Sequence, residues 1–292
     1  MSGTVSPAAD AMPHHSSEAI LAHPRFPEAR RVYVQGNLGL YEHDPFMSRL
    51  LIETGRSIIF FNILALHAAY DPSDRATWPT IGLLERTVRP FGVSSARRLH
   101  DLVARLVETG YVRSVPAPSD RRAHILTPTD KMVGHDLDWL AALYAPLQVM
   151  FPEPGYAPPV HRDLAYQKAH RRVGLAMAAY AVDLMAGNPA MLHFMNRQAG
   201  AMILIKLMQD ADNGLDATPR RSFFADVAAR FGISRTHVRI TLQQAQDAGL
   251  VRMSEQTIVM MPPLVAAFER FVADIMSGHD FMYRAAMREL AG

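Results

Sequence analysis

The chain has 292 residues, 49% of them hydrophobic, and a formal net charge of +2. That length holds about two domains, and the apolar content lets each bury a core. There is no cysteine, which excludes disulfides, thiolate catalysis and cysteine-ligated zinc; no apolar run is long enough to span a bilayer.

Residues 1–28 are rich in Pro, Ala, Ser and His, carry no secretory signal, and read as a disordered segment. Residues 29–44 lead into a long apolar helix from Met47 to Ala69. After Pro79 the pattern T-I-G-L-L-E-R-T-V predicts a helix, ended by Arg89-Pro90-Phe91-Gly92. A second helix starts at Ser94 or Ser95, whose hydroxyl caps it. Its apolar residues Ala96, Leu99, Leu102, Val103 and Leu106 share one face, and Gly110 stops it. A strand, Tyr111 to Val115, a polar tip, Pro116 to Arg122, and a return strand, Ala123 to Leu126, form a hairpin. A helix from Thr129 to about Tyr144 closes this first module, 29–145. A proline-rich linker, 146–160, follows: Pro146, Pro152, Pro154, Pro158 and Pro159 do not fit within one helix. The second half, 161–292, opens with a helix from His161 to Met185 and ends with helices from Pro263 to Met276 and His279 to Leu290.

Helix, turn, helix and hairpin in this order read as a winged helix-turn-helix. The fold class expected is mainly α with small β wings, as tandem winged modules with long flanking helices. From Arg86 to Arg122 eight arginines stand against three acids. Such a local excess in a near-neutral chain is the footprint of a phosphate backbone. Arg97 and Arg98 open the helix expected to face base edges in the major groove. Arg121 and Arg122 sit at the hairpin, suited to the minor groove.

At these residues the sequence resembles the MarR family of bacterial transcriptional regulators. The resemblance is carried by S-S-A-R-R-L-H-D-L-V-A-R-L-V-E-T-G-Y-V-R and then P-S-D-R-R-A-H-I-L-T-P-T-D-K, over about 50 residues. The acid before paired arginines stands here as Asp120-Arg121-Arg122. The resemblance implies DNA contacts by Ser95, Arg97, Arg98 and Asp101 and by Arg121 or Arg122, and a role as a repressor; the composition, without cysteine, secretory signal or membrane span, suits the bacterial cytoplasm. Asp101 departs from the basic or hydroxyl residue usual there. It can accept from a cytosine amino group, pair with a wing arginine, or weaken binding.

The layout returns about 140 residues later. Phe91-Gly92-Val93-Ser94 is echoed by Phe231-Gly232-Ile233-Ser234, Gly110-Tyr111-Val112-Arg113 by Gly249-Leu250-Val251-Arg252, and Pro79 by Pro219. Asp44-Pro45-Phe46-Met47 answers Asn188-Pro189-Ala190-Met191, which opens a helix from Met191 to Asp210. In this degenerate copy the second helix, Ser234 to Ala248, offers Arg235, Thr236 and Arg239 to DNA. Ile240 takes the place of Asp101. The wing is cut to Met253–Ile258, with Glu255 and no arginine at its tip. The expected partner is double-stranded DNA. The expected assembly is a pseudo-dimer within one chain, or a homodimer.

Other signals are weaker. His161-Arg162-Asp163-Leu164 imitates a kinase loop without its companions. His14, His15 and His23 lack a second metal-binding cluster. No nucleophile lies beside a base, so no enzyme and no cofactor are expected. Met185, Met191, Met195, Met202 and Met208 read chiefly as core, with a small aromatic effector between helices as the weaker reading. Two other functions remain open: a replication-initiator-like DNA-binding protein, and a winged-helix interaction scaffold that binds no DNA.

Overall fold

A computed structural model describes residues 12–42, 50–51, 53–92, 95–176 and 187–292. In chain order the first half holds α1 (Ser17–Leu21), α2 (Phe26–Glu42), α3 (Thr54–Ala68), α4 (Ile81–Val88), α5 (Ala96–Glu108), β1 (Val112–Ala117), β2 (Asp120–Pro128) and α6 (Asp130–Met150). After α7 (Ala157–Val160) come α8 (Leu164–Ala176), α9 (Pro189–Met195), α10 (Gly200–Asp212), β3 (Thr218–Pro219), α11 (Arg220–Phe231), α12 (Arg235–Asp247), β4 (Val251–Met253), β5 (Thr257–Met260) and α13 (Pro262–Ala291). The chain is mainly helical with small antiparallel sheets. No helix among the described residues is long and apolar enough to cross a membrane.

The sequence echoes correspond to shared backbone devices. The Ser95 hydroxyl accepts from the Arg98 N–H at 3.4 Å, and the Ser234 hydroxyl from the His237 N–H at 3.0 Å; each caps the helix that follows. Gly92 and Gly232 both turn left-handed, at φ 59° and 63°, where a side chain would be strained. The exits match as well. Tyr111 N–H donates to Leu106 O at 2.8 Å, and Leu250 N–H to Ala245 O at 2.9 Å. Thr129 N–H then donates to Tyr111 O, and Met261 N–H to Leu250 O, both at 2.9 Å. Leu126 N–H donates to Pro79 O at 2.8 Å; in the second half this link becomes the β3–β5 pairing, Thr218 opposite Ile258. That strand was not anticipated: with only two residues, it carries no periodicity to read.

Apolar packing forms two main clusters. The smaller gathers Ile59, Phe60, Leu84, Leu99, Leu106, Tyr111, Leu126 and Met132 around α3 to α6. The larger runs from Ile20 to Ala286 and joins α2 and α6 to the second half. Helices cross between halves. α2 packs on α6 and on α10; α8 packs on α13 and on α3; α6 meets α13. Exchanging α2 with α8, α3 with α10 and α6 with α13 leaves these neighbours unchanged. Counted from the matching bonds of Thr129 and Met261, Asp136 on α6 corresponds to Phe268 on α13, each seven residues on. Asp136 is fully buried and pairs with Arg171 on α8, while Phe268 meets Tyr33 on α2 at 6.3 Å between ring centroids. One half seals this junction with an ion pair, the other with two rings.

Several expectations are corrected. Within the supposedly disordered 1–28, residues 12–28 are ordered: α1 buries Ile20, His15 stacks on Phe151 at 3.8 Å, and the His15 N–H donates to buried Asp280 at 2.7 Å. Composition hid this because the few apolar side chains that dock, Ile20, Leu21 and Phe26, are helped by histidine rings and one amide whose partners lie far along the chain; residues 1–11 lie outside the described residues. Pro146 lies inside α6, where its burial outweighs the lost helical bond. The linker is therefore shorter than 146–160. The helix expected over Met191–Asp210 is broken between α9 and α10, where Ala199 is left-handed at φ 55°. The two last helices are one, α13, because Gly278 costs only about 1 kcal/mol in a helix and Ser277 and Asp280 are held by burial. α8 begins at Leu164. The expected helical stretches 47–49 and 177–185 fall outside the described residues, as does the Asp44–Met47 echo.

Candidate nucleic-acid interface

α5 buries Leu99, Leu102, Val103 and Leu106 and turns its charged residues outward. All nine candidate contacts, Ser95, Arg97, Arg98, Asp101, Arg121, Arg122, Arg235, Thr236 and Arg239, are exposed. They fall into separate groups. Arg98 and Asp101 line one groove of about 510 Å³, with Arg105 beside them and, opposite, Arg56 of α3 and Glu53 just before it. Ser95 spends its hydroxyl on the helix cap, so its contribution is to start the helix.

The hairpin differs from the expected shape. Ala117 pairs with Asp120, so the turn is Pro118-Ser119 alone. The register then jumps, with Pro116 opposite His124, leaving Arg121, Arg122 and Ala123 as a bulge on β2. The paired arginines thus lie beside the tip and not on it. A bulge twists the strand and re-aims its side chains. Asp120 organises the turn: its carboxylate accepts from the Arg122 N–H at 3.0 Å and pairs with Arg75 at 2.7 Å. Arg75 in turn lies 5.5 Å from the Trp78 ring centroid. Sequence reading missed Arg75, because its partner is 45 residues away. The Leu126–Lys131 segment also gains a physical account. The Thr129 hydroxyl donates to Gly110 O at 2.7 Å, and Lys131 Nζ to Thr109 O at 3.2 Å while lying 4.0 Å from the Tyr111 ring centroid. Together they fasten the hairpin exit to the end of α5.

The second hairpin is closed tightly. The Ser254 hydroxyl accepts from the N–H groups of Gln256 and Thr257, at 3.2 and 3.0 Å. Arg220 donates from its backbone to Gln256 O and from its guanidinium to Ser254 O, both at 2.8 Å. On α12, Arg235, Thr236 and Arg239 face solvent, and Ile240 is 45% exposed. His237 is turned back, its Nε2 bonded to Gln198 O at 2.8 Å.

Between the halves lies an apolar cavity of about 200 Å³, lined by Asn37, Trp139, Met191, Met202, Phe271 and His279 among others. Burial pushes the Tyr41 hydroxyl at its wall up to about 12 and lowers His279 to about 4, so both stay neutral near pH 7. His14 and His23 spend their rings on Phe281 and Phe151. Among the described residues no group of His, Asp or Glu side chains could hold a metal ion. Compared with protein-family models, curated proteins and solved structures, the chain matches none.

Proposed function

We propose that the chain is a DNA-binding transcriptional regulator, acting as a repressor and built as two winged helix-turn-helix modules that form a pseudo-dimer. The observation that carries the DNA reading is the placement of exposed arginines. Arg97 and Arg98 open a capped helix whose other face is buried, and Arg121 and Arg122 stand in a bulge of the hairpin fastened to it. A helix supplying base contacts beside a cationic hairpin supplying phosphate and minor-groove contacts is the division of labour such modules use. The pseudo-dimer is supported by the exchange of neighbours among α2, α3, α6, α8, α10 and α13. The likeness of residues 94–113 and 118–131 to MarR regulators points the same way.

The test is equilibrium binding to duplex DNA across a salt series. A regulator binds with a steep salt dependence and prefers some sequences over random duplex. Binding that is absent at low salt hands the function to the interaction-scaffold reading; binding unchanged when all four arginines become alanine in a folded protein removes the first module as the DNA reader. The cavity between the halves supports control by a small aromatic effector. Indole serves as a probe: it should raise the melting temperature and alter DNA affinity together.

A further inference from the structure

We infer that the DNA site of this chain is non-palindromic. One half-site is read by polar contacts and flanked by a narrow minor groove. The other carries a thymine whose methyl group packs on Ile240. The inference rests on the DNA-binding reading above and goes beyond it by naming the class of sequence bound.

Two observations carry it. The first is the register of the two solvent-facing helices, fixed by their cap serines. Two, three and six residues after Ser95 stand Arg97, Arg98 and Asp101; the same steps after Ser234 give Thr236, His237 and Ile240. His237 is half-buried and its Nε2 is committed to Gln198 O. Ile240 is exposed, four residues beyond exposed Thr236 and so on the same face. A single exposed isoleucine is ordinary on a protein surface. At this position it replaces a carboxylate, and the apolar group it can meet in the major groove is the thymine C5-methyl. Asp101 instead can accept from a cytosine amino group and repels acceptor edges.

The second observation is the pair of hairpins. The first presents Arg121 and Arg122 in a bulge held by Asp120 and Arg75. The second turns through Ser254, Glu255 and Gln256, with Arg220 spent on the Ser254 carbonyl. A cation inserted into the minor groove favours A/T-rich, narrow sequence. The second hairpin has an exposed arginine too, Arg252, but it lies within β4 and not beside the turn; the flank met by the first hairpin therefore gains that preference more strongly. A homodimer would read both half-sites alike. Here each half-site meets its own module on the same chain.

The experiment is selection of duplexes from a randomised library by the full chain. The expected consensus has two unlike halves, with one flank more A/T-rich than the other. Each thymine of the consensus is then replaced in turn by deoxyuridine, which removes only the methyl group. At one position the wild type should bind about fourfold more weakly, the effect of one apolar carbon returned to water. Ile240→Ala, folded as judged by circular dichroism, should lose that sensitivity, and Asp101→Ala should keep it. A palindromic consensus, or no thymine that separates wild type from Ile240→Ala, overturns the inference while leaving a DNA-binding protein. No enrichment over a protein-free control overturns the DNA reading and the inference with it.

Discussion

Asp136 offers the sharpest test of how the two halves are joined. Its side chain is fully buried, and that of Arg171 is 9% exposed. The carboxylate accepts from Nε and Nη2 of Arg171 and from the Gln167 amide, the latter at 2.6 Å. The Arg171 guanidinium also lies 4.5 Å from the Phe61 ring centroid and 5.3 Å from that of Trp139, so one residue ties α3, α6 and α8 together. Asp136→Ala leaves that cation buried and uncompensated, at a cost of about 3–5 kcal/mol. The melting temperature should fall by about 10 °C. The other half closes the corresponding junction with Phe268 and Tyr33. Transplanting that solution as Asp136→Phe, Arg171→Tyr and Gln167→Leu removes charge and polar partners together and should recover most of the loss, because apolar replacement of a whole buried ion pair is often neutral. Urea unfolding followed by circular dichroism reads both. The reasoning is refuted if Asp136→Ala costs under about 1 kcal/mol, or if the triple variant is no more stable than the single one.

Arg121→Ala with Arg122→Ala should weaken duplex binding broadly and make its log–log salt slope shallower by about one unit per lost phosphate contact; titrations across salt check this, with thermal melts expected to be unchanged. Arg97→Ala or Arg98→Ala should instead relax preference at one base pair, as competition with single-base variants of the selected site would show. Acid should destabilise the fold. Burial holds His279 at about 4 and His170 well below its ordinary value, so the unfolded chain binds protons that the folded chain refuses. Their contribution is complete above the unfolded value of 6.5 and is lost as pH falls toward 4, amounting to about 3 kcal/mol for His279. Urea midpoints that do not fall between about pH 7 and about pH 5 would contradict this. Gly200→Ala should destabilise by about 1–3 kcal/mol, because the added methyl meets the backbone carbonyl of Phe194; a melt equal to wild type would contradict the α9–α10 geometry.

The elements most legible in the sequence were those with a cap, a stripe and a stop. Ser95, the Leu99–Leu106 face and Gly110 located α5 to within a residue, and their echoes located α12. Local chemistry specified them, so no knowledge of neighbours was needed. What escaped was set by contacts between distant residues. The bulge at Arg121–Ala123 depends on Asp120 meeting Arg75. The order of residues 12–28 depends on Asp280 and Phe151. The break before Gly200 depends on a left-handed Ala199 that nothing in an apolar run announces. Pro146 misled for the opposite reason: its local cost is real, and tertiary burial exceeds it. The arginines among the candidate contacts were identified by charge and are exposed; the cap was legible too, and the structure assigns it to Ser95.

The crossed helices also set an order of events during synthesis. The first half cannot complete its surroundings when it leaves the ribosome, because α2 awaits α10. Arg30 on α2 finds Asp212 only after 182 further residues have been added, roughly 10–35 s at usual translation rates. Throughout that interval the apolar side of α2 that will meet α10 is without its partner. His15 and Glu18 wait longer still, since Asp280 and Arg270 are 265 and 252 residues downstream. Residues 15–30 are therefore made long before they are secured. A ribosome stalled in the second half would hold out a half-built protein with an open apolar flank, the kind of surface on which chaperones act.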